Sequence, residues 1–195
     1  MPSKTVPRAV ASTEWQWKPA RHTYKMLSSE LIKKMHLPKY SMPEIERRWL
    51  VIQQYLPDLS ELKRWDVIDH YLVNSRLRLR KMVDGNGEEP TQYKLCKKYG
   101  KVSKIQEPVT NIYLTEDEYK LFAGIEANVL KKMKYRYKFE GTAFDINVFS
   151  DSNTVIAEAE FSSETQAIEC ELPKFIGEEV SSQIEYESAS IASQT

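Results

Sequence analysis

Five segments place charged side chains two or four residues apart. Glu44 and Glu46 form one pair, Glu158 and Glu160 a second, and Arg76, Arg78 and Arg80 a basic triplet. Lys94 and Lys98, and then Lys132, Lys134 and Arg136, extend the basic set. In an extended strand, residues two apart share a face, so each group presents its charges together and its apolar neighbours on the opposite side. Paired carboxylates on one face are what an oxygen-ligated Mg²⁺ or Mn²⁺ uses when water and substrate phosphate complete its shell. Three guanidiniums in a row repel one another unless an anion or carboxylates compensate, and each is a planar fork of donors suited to phosphate oxygens. Jointly, two acidic strands at the ends of the run and basic strands between them fit metal at one wall and phosphate along the other. No Ser, Cys or His nucleophile is needed for such a site to activate water.

Two arrangements satisfy the alternation. A sheet with its ionic face in water is one, with the arginine strand an edge protected from aggregation by its charge. In the other the sheet curls so that acidic and basic strands share a lumen.

The elements that would carry these residues follow from hydrophobic periodicity and turn residues. Strands are predicted over 44–52, 67–73, 75–83, 91–98, 107–114, 132–140, 142–149 and 154–161, an antiparallel β protein with helical inserts. Asp84-Gly85-Asn86-Gly87 is a loop, and Glu140-Gly141 and 150–153 are hairpin turns. Thr115 with Glu118 opens a capped helix expected to end by Leu130, and a short helix or turn is expected within 56–65. Residues 1–40 read as an extension, partly irregular, with a possible helix over 23–35, and 41–195 as the main domain. The last dozen residues, rich in Ser and Ala, are expected to be loosely held.

Bulk composition excludes several classes. Lys plus Arg and Asp plus Glu number 28 each, so no net field marks a nucleic-acid or acidic-membrane binder. Glu pairs on the same face as the cations would also repel a nucleic-acid backbone. Two cysteines, Cys96 and Cys170, make no disulfide framework and no zinc spacing, which favours a reducing compartment and a cytoplasmic location. No apolar run approaches the roughly 18 residues of a membrane span. Phosphate-loop, dinucleotide, zincin and nucleophile-elbow motifs are absent, and His22, His36 and His70 share no motif spacing.

In order along the chain, these motifs resemble the CYTH superfamily of triphosphate tunnel metalloenzymes. Glu44-Ile45-Glu46-Arg47-Arg48 is similar to its Glu-x-Glu-x-Lys first strand, and Arg76 to Arg80 to its arginine-rich strand. Tyr93 to Lys98 resembles its Lys-Leu-Thr-x-Lys strand, and Lys132-Met133-Lys134-Tyr135 its Lys-x-Arg-Tyr. Ala157-Glu158-Ala159-Glu160 resembles its Ala-Glu-x-Glu. Leu172-Pro173 with 177–181 is similar to its closing segment. The resemblance runs from Glu44 to the C-terminus. It implies an α+β, mainly β fold: an eight-stranded antiparallel closed β-barrel, the triphosphate tunnel, with peripheral helices. It also implies Mg²⁺ or Mn²⁺ held by Glu44, Glu46, Glu158 and Glu160, and a triphosphate held by Arg76, Arg78, Arg80, Lys94, Lys98, Lys132 and Lys134. Glu158 and Glu160 would orient water. Arg48 stands at the signature lysine and keeps its charge; Asn147 stands where many members have Asp, with Asp145 on the same face as a further carboxylate for metal. Cys96 replaces a threonine.

The expected function is metal-dependent hydrolysis of inorganic tripolyphosphate or a small organic or nucleoside triphosphate, an RNA 5′-triphosphate end being the one nucleic-acid substrate in the family's range. Its alternatives are a tunnel that captures nucleotide or polyphosphate without turnover, and an adenylate cyclase of the CYTH class.

Overall fold

In a computed structural model, residues 38–194 are described; the N-terminal extension up to residue 37, with the helix expected over 23–35, lies outside them. The chain forms β1 (Met42–Val51), β2 (Lys63–Leu72), β3 (Leu77–Asp84), β4 (Gln92–Lys98), β5 (Gln106–Leu114), α1 (Glu116–Ala123), β6 (Ala127–Phe139), β7 (Thr142–Phe149) and β8 (Val155–Phe161). It closes with α2 (Glu164–Glu169), β9 (Ile176–Glu179) and α3 (Ser188–Ala192). The sheet order is β5-β4-β3-β2-β6-β7-β8-β1-β9, and the first four residues of β1 also pair with β5, which closes eight antiparallel strands into a barrel. β9 adds to the other half of that β1 edge. The eight expected strands are the eight barrel strands.

The apolar side of the alternation faces outward. Ile45 and Trp49 of β1, Phe144 and Ile146 of β7, and Ala157, Ala159 and Phe161 of β8 form one buried cluster, covered by Ala167 of α2 and by Phe175. Trp49 lies against Phe144 with ring centroids 5.9 Å apart, and Phe175 meets Phe144 edge-on. Each large side chain removed from water there contributes about 2–3 kcal/mol. The main core therefore sits outside the barrel, and the lumen is left to the charged residues.

Turn chemistry fixes the hairpins. Glu140 (φ 44°) and Gly141 (φ 77°) both adopt left-handed backbone in the two-residue link between β6 and β7, the geometry that matches strand twist. The Asp84 carboxylate accepts from the backbone N–H of Glu88 and Glu89 and holds the loop after β3.

Tertiary pairing and packing set the details that the sequence leaves open. β2 begins at Lys63, because Lys63–Asp66 pair with β6 opposite Met133–Arg136. The short helix or turn expected within 56–65 is a single 3-10 turn, Leu59–Glu61, capped by Asp58. α1 has its capping box at Thr115 and Glu118 but stops at Ala123, before Gly124, and the next residues are claimed by pairing of β6 with β2. The C-terminal residues expected to be loose instead form α3, with Ala192 buried.

Candidate active site in the tunnel

β1 turns Glu44, Glu46 and Arg48 into the lumen, and β8 lies beside it with Glu160 opposite Glu46 and Glu158 opposite Arg48. One wall thus gathers the four predicted metal-binding glutamates. Lys98 donates to Glu44 at 2.8 Å and lies 3.4 Å from Glu107 of β5, which stands opposite Glu44. Asn147 donates to Glu158 at 2.9 Å. Glu160 is the exposed member of the set.

The basic wall is built from β3, β4 and β6. Arg80 makes a two-pronged pair with Asp69 of β2, at 2.6 and 2.7 Å, and Arg78 lies 3.7 Å from the same carboxylate. Lys94 is the register neighbour of Arg80, and Lys132 is buried on β6. Lys134 meets Asp145 at 2.5 Å, and Arg136 grips the same carboxylate through Nε and Nη2 at 2.7 and 2.8 Å. Asp145 is thereby held by two cations. Arg76 does not join the wall: it is exposed at the start of β3 and donates to the Tyr99 carbonyl at 2.7 Å.

The electrostatics separate the two walls. Burial, then the charges of Glu158 and Glu44, push the Glu46 carboxyl up to about 8, against the pull of Lys98 and Arg48. Burial would also raise Glu44 and Glu158, but Lys98 for the first and Lys132 and Lys134 for the second hold both below the usual carboxylate range. On the basic wall, burial and the neighbouring arginines lower Lys94 to about 8. Burial, with Arg80 and Lys134, takes Lys132 to the same value despite Glu158 and Asp69. The carboxylate wall lacks positive charge at Glu46, and the basic wall lacks negative charge at Lys94 and Lys132.

Among the described residues no three Asp, Glu, His or Cys side chains converge tightly enough to enclose an ion by themselves. The donor set nonetheless fits a hard divalent ion, which needs one or two carboxylates and takes its other ligands from water and phosphate. The Oδ1 of Asn147, wholly buried and without a partner beside Glu158, is a further unused oxygen there.

Comparison with solved structures returns the same barrel. Two structures of the protein NE1496, one described as an inorganic triphosphatase, superpose with a TM-score of 0.51 at 26% identity, covering 76% of this chain and 97% and 93% of theirs. The fold is that of the CYTH superfamily. The protein PH1012 from Pyrococcus horikoshii OT3 matches at 20% identity and a TM-score of 0.45 over 63% of this chain and 82% of its own. A scan against protein-family models and a search of curated proteins return no match. No helix among the described residues is long and apolar enough to cross a membrane.

In this CYTH barrel, three lumen residues escape sequence reasoning. Asp69 sits in Asp66-Val67-Ile68-Asp69, where the apolar and charged positions do not alternate cleanly; a mid-strand aspartate, unfavoured in sheets, is the signal that could have exposed it. Glu107 precedes Pro108 and reads as a strand entry. Tyr71, on the face of Asp69, is pushed up to about 12 by burial and by that carboxylate.

Arg48 has a role that its position in the motif does not announce. It is 6% exposed, and its guanidinium donates to the carbonyls of Tyr186 (3.1 Å) and Ser181 (3.3 Å) and to Glu187 (3.4 Å), with Glu46 3.6 Å from Nε.

Proposed function

We propose that the chain is a divalent-metal-dependent triphosphatase that hydrolyses inorganic tripolyphosphate or a small organic triphosphate inside the barrel. The observation that carries this reading is the division of the lumen: Glu44, Glu46, Glu158 and Glu160 along β1 and β8 face a wall of Arg78, Arg80, Lys94 and Lys132 that has Asp69 as its buried counter-charge. The similarity to a protein described as an inorganic triphosphatase supports it.

In this reading Glu46 and Glu158, with Glu44 and Glu160 beside them, hold Mg²⁺ or Mn²⁺, which when bound neutralises phosphate charge and favours ionisation of water. Arg78 and Arg80, preset by Asp69, present guanidinium forks to the phosphoryl oxygens, and Lys94 and Lys132 become fully charged as the anion arrives. Most of the catalytic effect is then positioning plus charge stabilisation, which phosphoryl transfer requires.

A second reading, capture of a polyphosphate or nucleotide without turnover, has one observation in its favour. The guanidinium of Arg48 is spent on the C-terminal segment, and an arginine is a poor proton acceptor where the family signature has lysine. The test is phosphate release from tripolyphosphate, thiamine triphosphate and ATP with Mg²⁺, Mn²⁺ or chelator. Release that needs metal and is lost in Glu44→Ala and Glu160→Ala supports hydrolysis; tight binding with no release across the panel supports capture.

A further inference from the structure

The arginine run begins outside the tunnel. Arg76, one residue before β3, shares its parity with Arg78 and Arg80, yet its side chain is exposed and lines a surface depression of about 690 Å³. The depression lies where β2 turns into β3 and where β4 runs out, and is built from Asn74, Ser75, Arg76, Lys97, Lys98 and Tyr99. Three of its lining residues are cationic and none is acidic.

Its walls are fixed. Asn74 in the turn takes left-handed backbone (φ 55°), and the Ser75 hydroxyl donates to the Leu72 carbonyl at 2.9 Å while accepting from the Leu77 N–H at 3.1 Å. On the other side, the Tyr99 N–H donates to the Pro108 carbonyl and the Gly100 N–H to Glu107, each at 3.0 Å, which pins that wall to its neighbours. Arg76 joins the two walls, its Nη1 donating to the Tyr99 carbonyl at 2.7 Å. A Cβ on residue 100 would stand 3.2 Å from that Nη1, and φ there is 99°, so glycine both makes the turn and lets the guanidinium come close. An arginine that only kept a strand edge from pairing would need neither contact.

The charges are not all spent. Lys98 sends its ammonium to the lumen side, where Glu44 at 2.8 Å and Glu107 at 3.4 Å neutralise it. Arg76 and Lys97 meet no carboxylate among the described residues, and the Lys97 ammonium lies 5.5 Å from the centroid of the Tyr99 ring. Two uncompensated cations, one a planar fork with donors to spare and one a point charge, match a dianion with several oxygens better than they match a singly charged carboxylate. Phosphate supplies both charges, and the volume leaves room for an organic group on one of its oxygens.

We propose that this depression is an anion site separate from the tunnel, taking a phosphate dianion, free or as the monoester of a small organic group. The site stands without the triphosphate reading, although a triphosphatase would release its ligand at every turnover.

The test is amide NMR of the isotope-labelled full chain, titrated with sodium phosphate or AMP at constant ionic strength, with sodium chloride as the control. Saturable shifts of the amides of 75–77 and 99–100 are the expected result, with affinity at least about tenfold weaker in Arg76→Ala and reduced also in Lys97→Ala. AMP binding tighter than phosphate, with shifts of the Tyr99 ring, assigns the monoester; AMP binding no tighter assigns free phosphate. Both substituted residues are exposed, so unchanged resonances in the rest of the barrel report an intact fold. No saturable shift at those amides overturns the inference, as does a shift that chloride reproduces or that Arg76→Ala leaves undiminished.

Discussion

Asp69 and Arg80 form a two-pronged ion pair in the tunnel wall, Nε to Oδ1 at 2.6 Å and Nη2 to Oδ2 at 2.7 Å, with the Asp69 side chain wholly buried. Burial alone would raise this carboxyl; Arg80 and Arg78 hold it well below the usual range, and it stays ionised. The pair sets the guanidinium plane before any anion arrives, so binding loses less side-chain entropy.

Asp69→Asn leaves the half-buried Arg80 and Arg78 without their counter-charge. Breaking one partner of a buried pair costs about 3–5 kcal/mol, readable as a lower urea midpoint at unchanged slope. Tripolyphosphate at saturating concentration restores part of that loss, because it supplies the missing negative charge. Equal destabilisation with and without tripolyphosphate would count against the preset wall.

Arg48→Lys retains the charge but not the fork that spans the Tyr186 and Ser181 carbonyls. A compact ammonium cannot serve both and Glu187, so about 1–3 kcal/mol of hydrogen bonding is lost locally. Amide exchange in 186–192 accelerates by about tenfold or more, while exchange in β7 and β8 is unchanged. Exchange that stays slow in α3 would show that Arg48 is not its tether.

Glu46 gives the metal-free protein an inverted pH response. Its carboxyl keeps its proton to about 8 when folded, against 4.5 for the free side chain, so between those values the folded state binds more protons and stability falls as pH rises. The slope is on the order of 1 kcal/mol per pH unit. The lowered carboxylates Glu44, Glu158, Asp69 and Asp145 lose their contribution only as pH falls below this window. Lys94 and Lys132, lowered to about 8 from 10.5, act above it, where loss of their protons raises stability. Urea unfolding at pH 5.5 and 7.5 checks the sign, and Glu46→Gln flattens the difference. A wild-type chain more stable at pH 7.5 than at 5.5 contradicts it.

Much of this site is legible in charge alternation because a strand has a period of two and the barrel turns one parity inward throughout. Spacing alone groups Glu44 with Glu46, Arg78 with Arg80, Lys132 with Lys134 and Glu158 with Glu160 on common strand faces, and the barrel closure sets those faces in the lumen. The same parity misplaces Arg76, which shares a face with Arg78 but stands one position before β3 and reaches a loop carbonyl instead. Partners across the lumen are not legible, since a period within one strand carries nothing about register with the next. That is why the neutralisation of Asp145 by Lys134 and Arg136 emerges only from the β6–β7 pairing. The C-terminal helix is hidden for another reason. Ser188–Ala192 is a five-residue helix with no side-chain cap, too short to nucleate by itself, and it is held by packing on Leu130, Phe149 and Ile156.

The division of labour between the two walls is tested most directly by calorimetric titration of tripolyphosphate with and without Mg²⁺, comparing wild type, Glu46→Gln and Arg80→Ala. The account predicts that Mg²⁺ tightens binding to wild type, and that Glu46→Gln removes this gain while keeping metal-free binding. Arg80→Ala is predicted to weaken binding about tenfold or more in both conditions. A Glu46→Gln chain that keeps the full Mg²⁺ gain, or an Arg80→Ala chain that binds as wild type does, would contradict it.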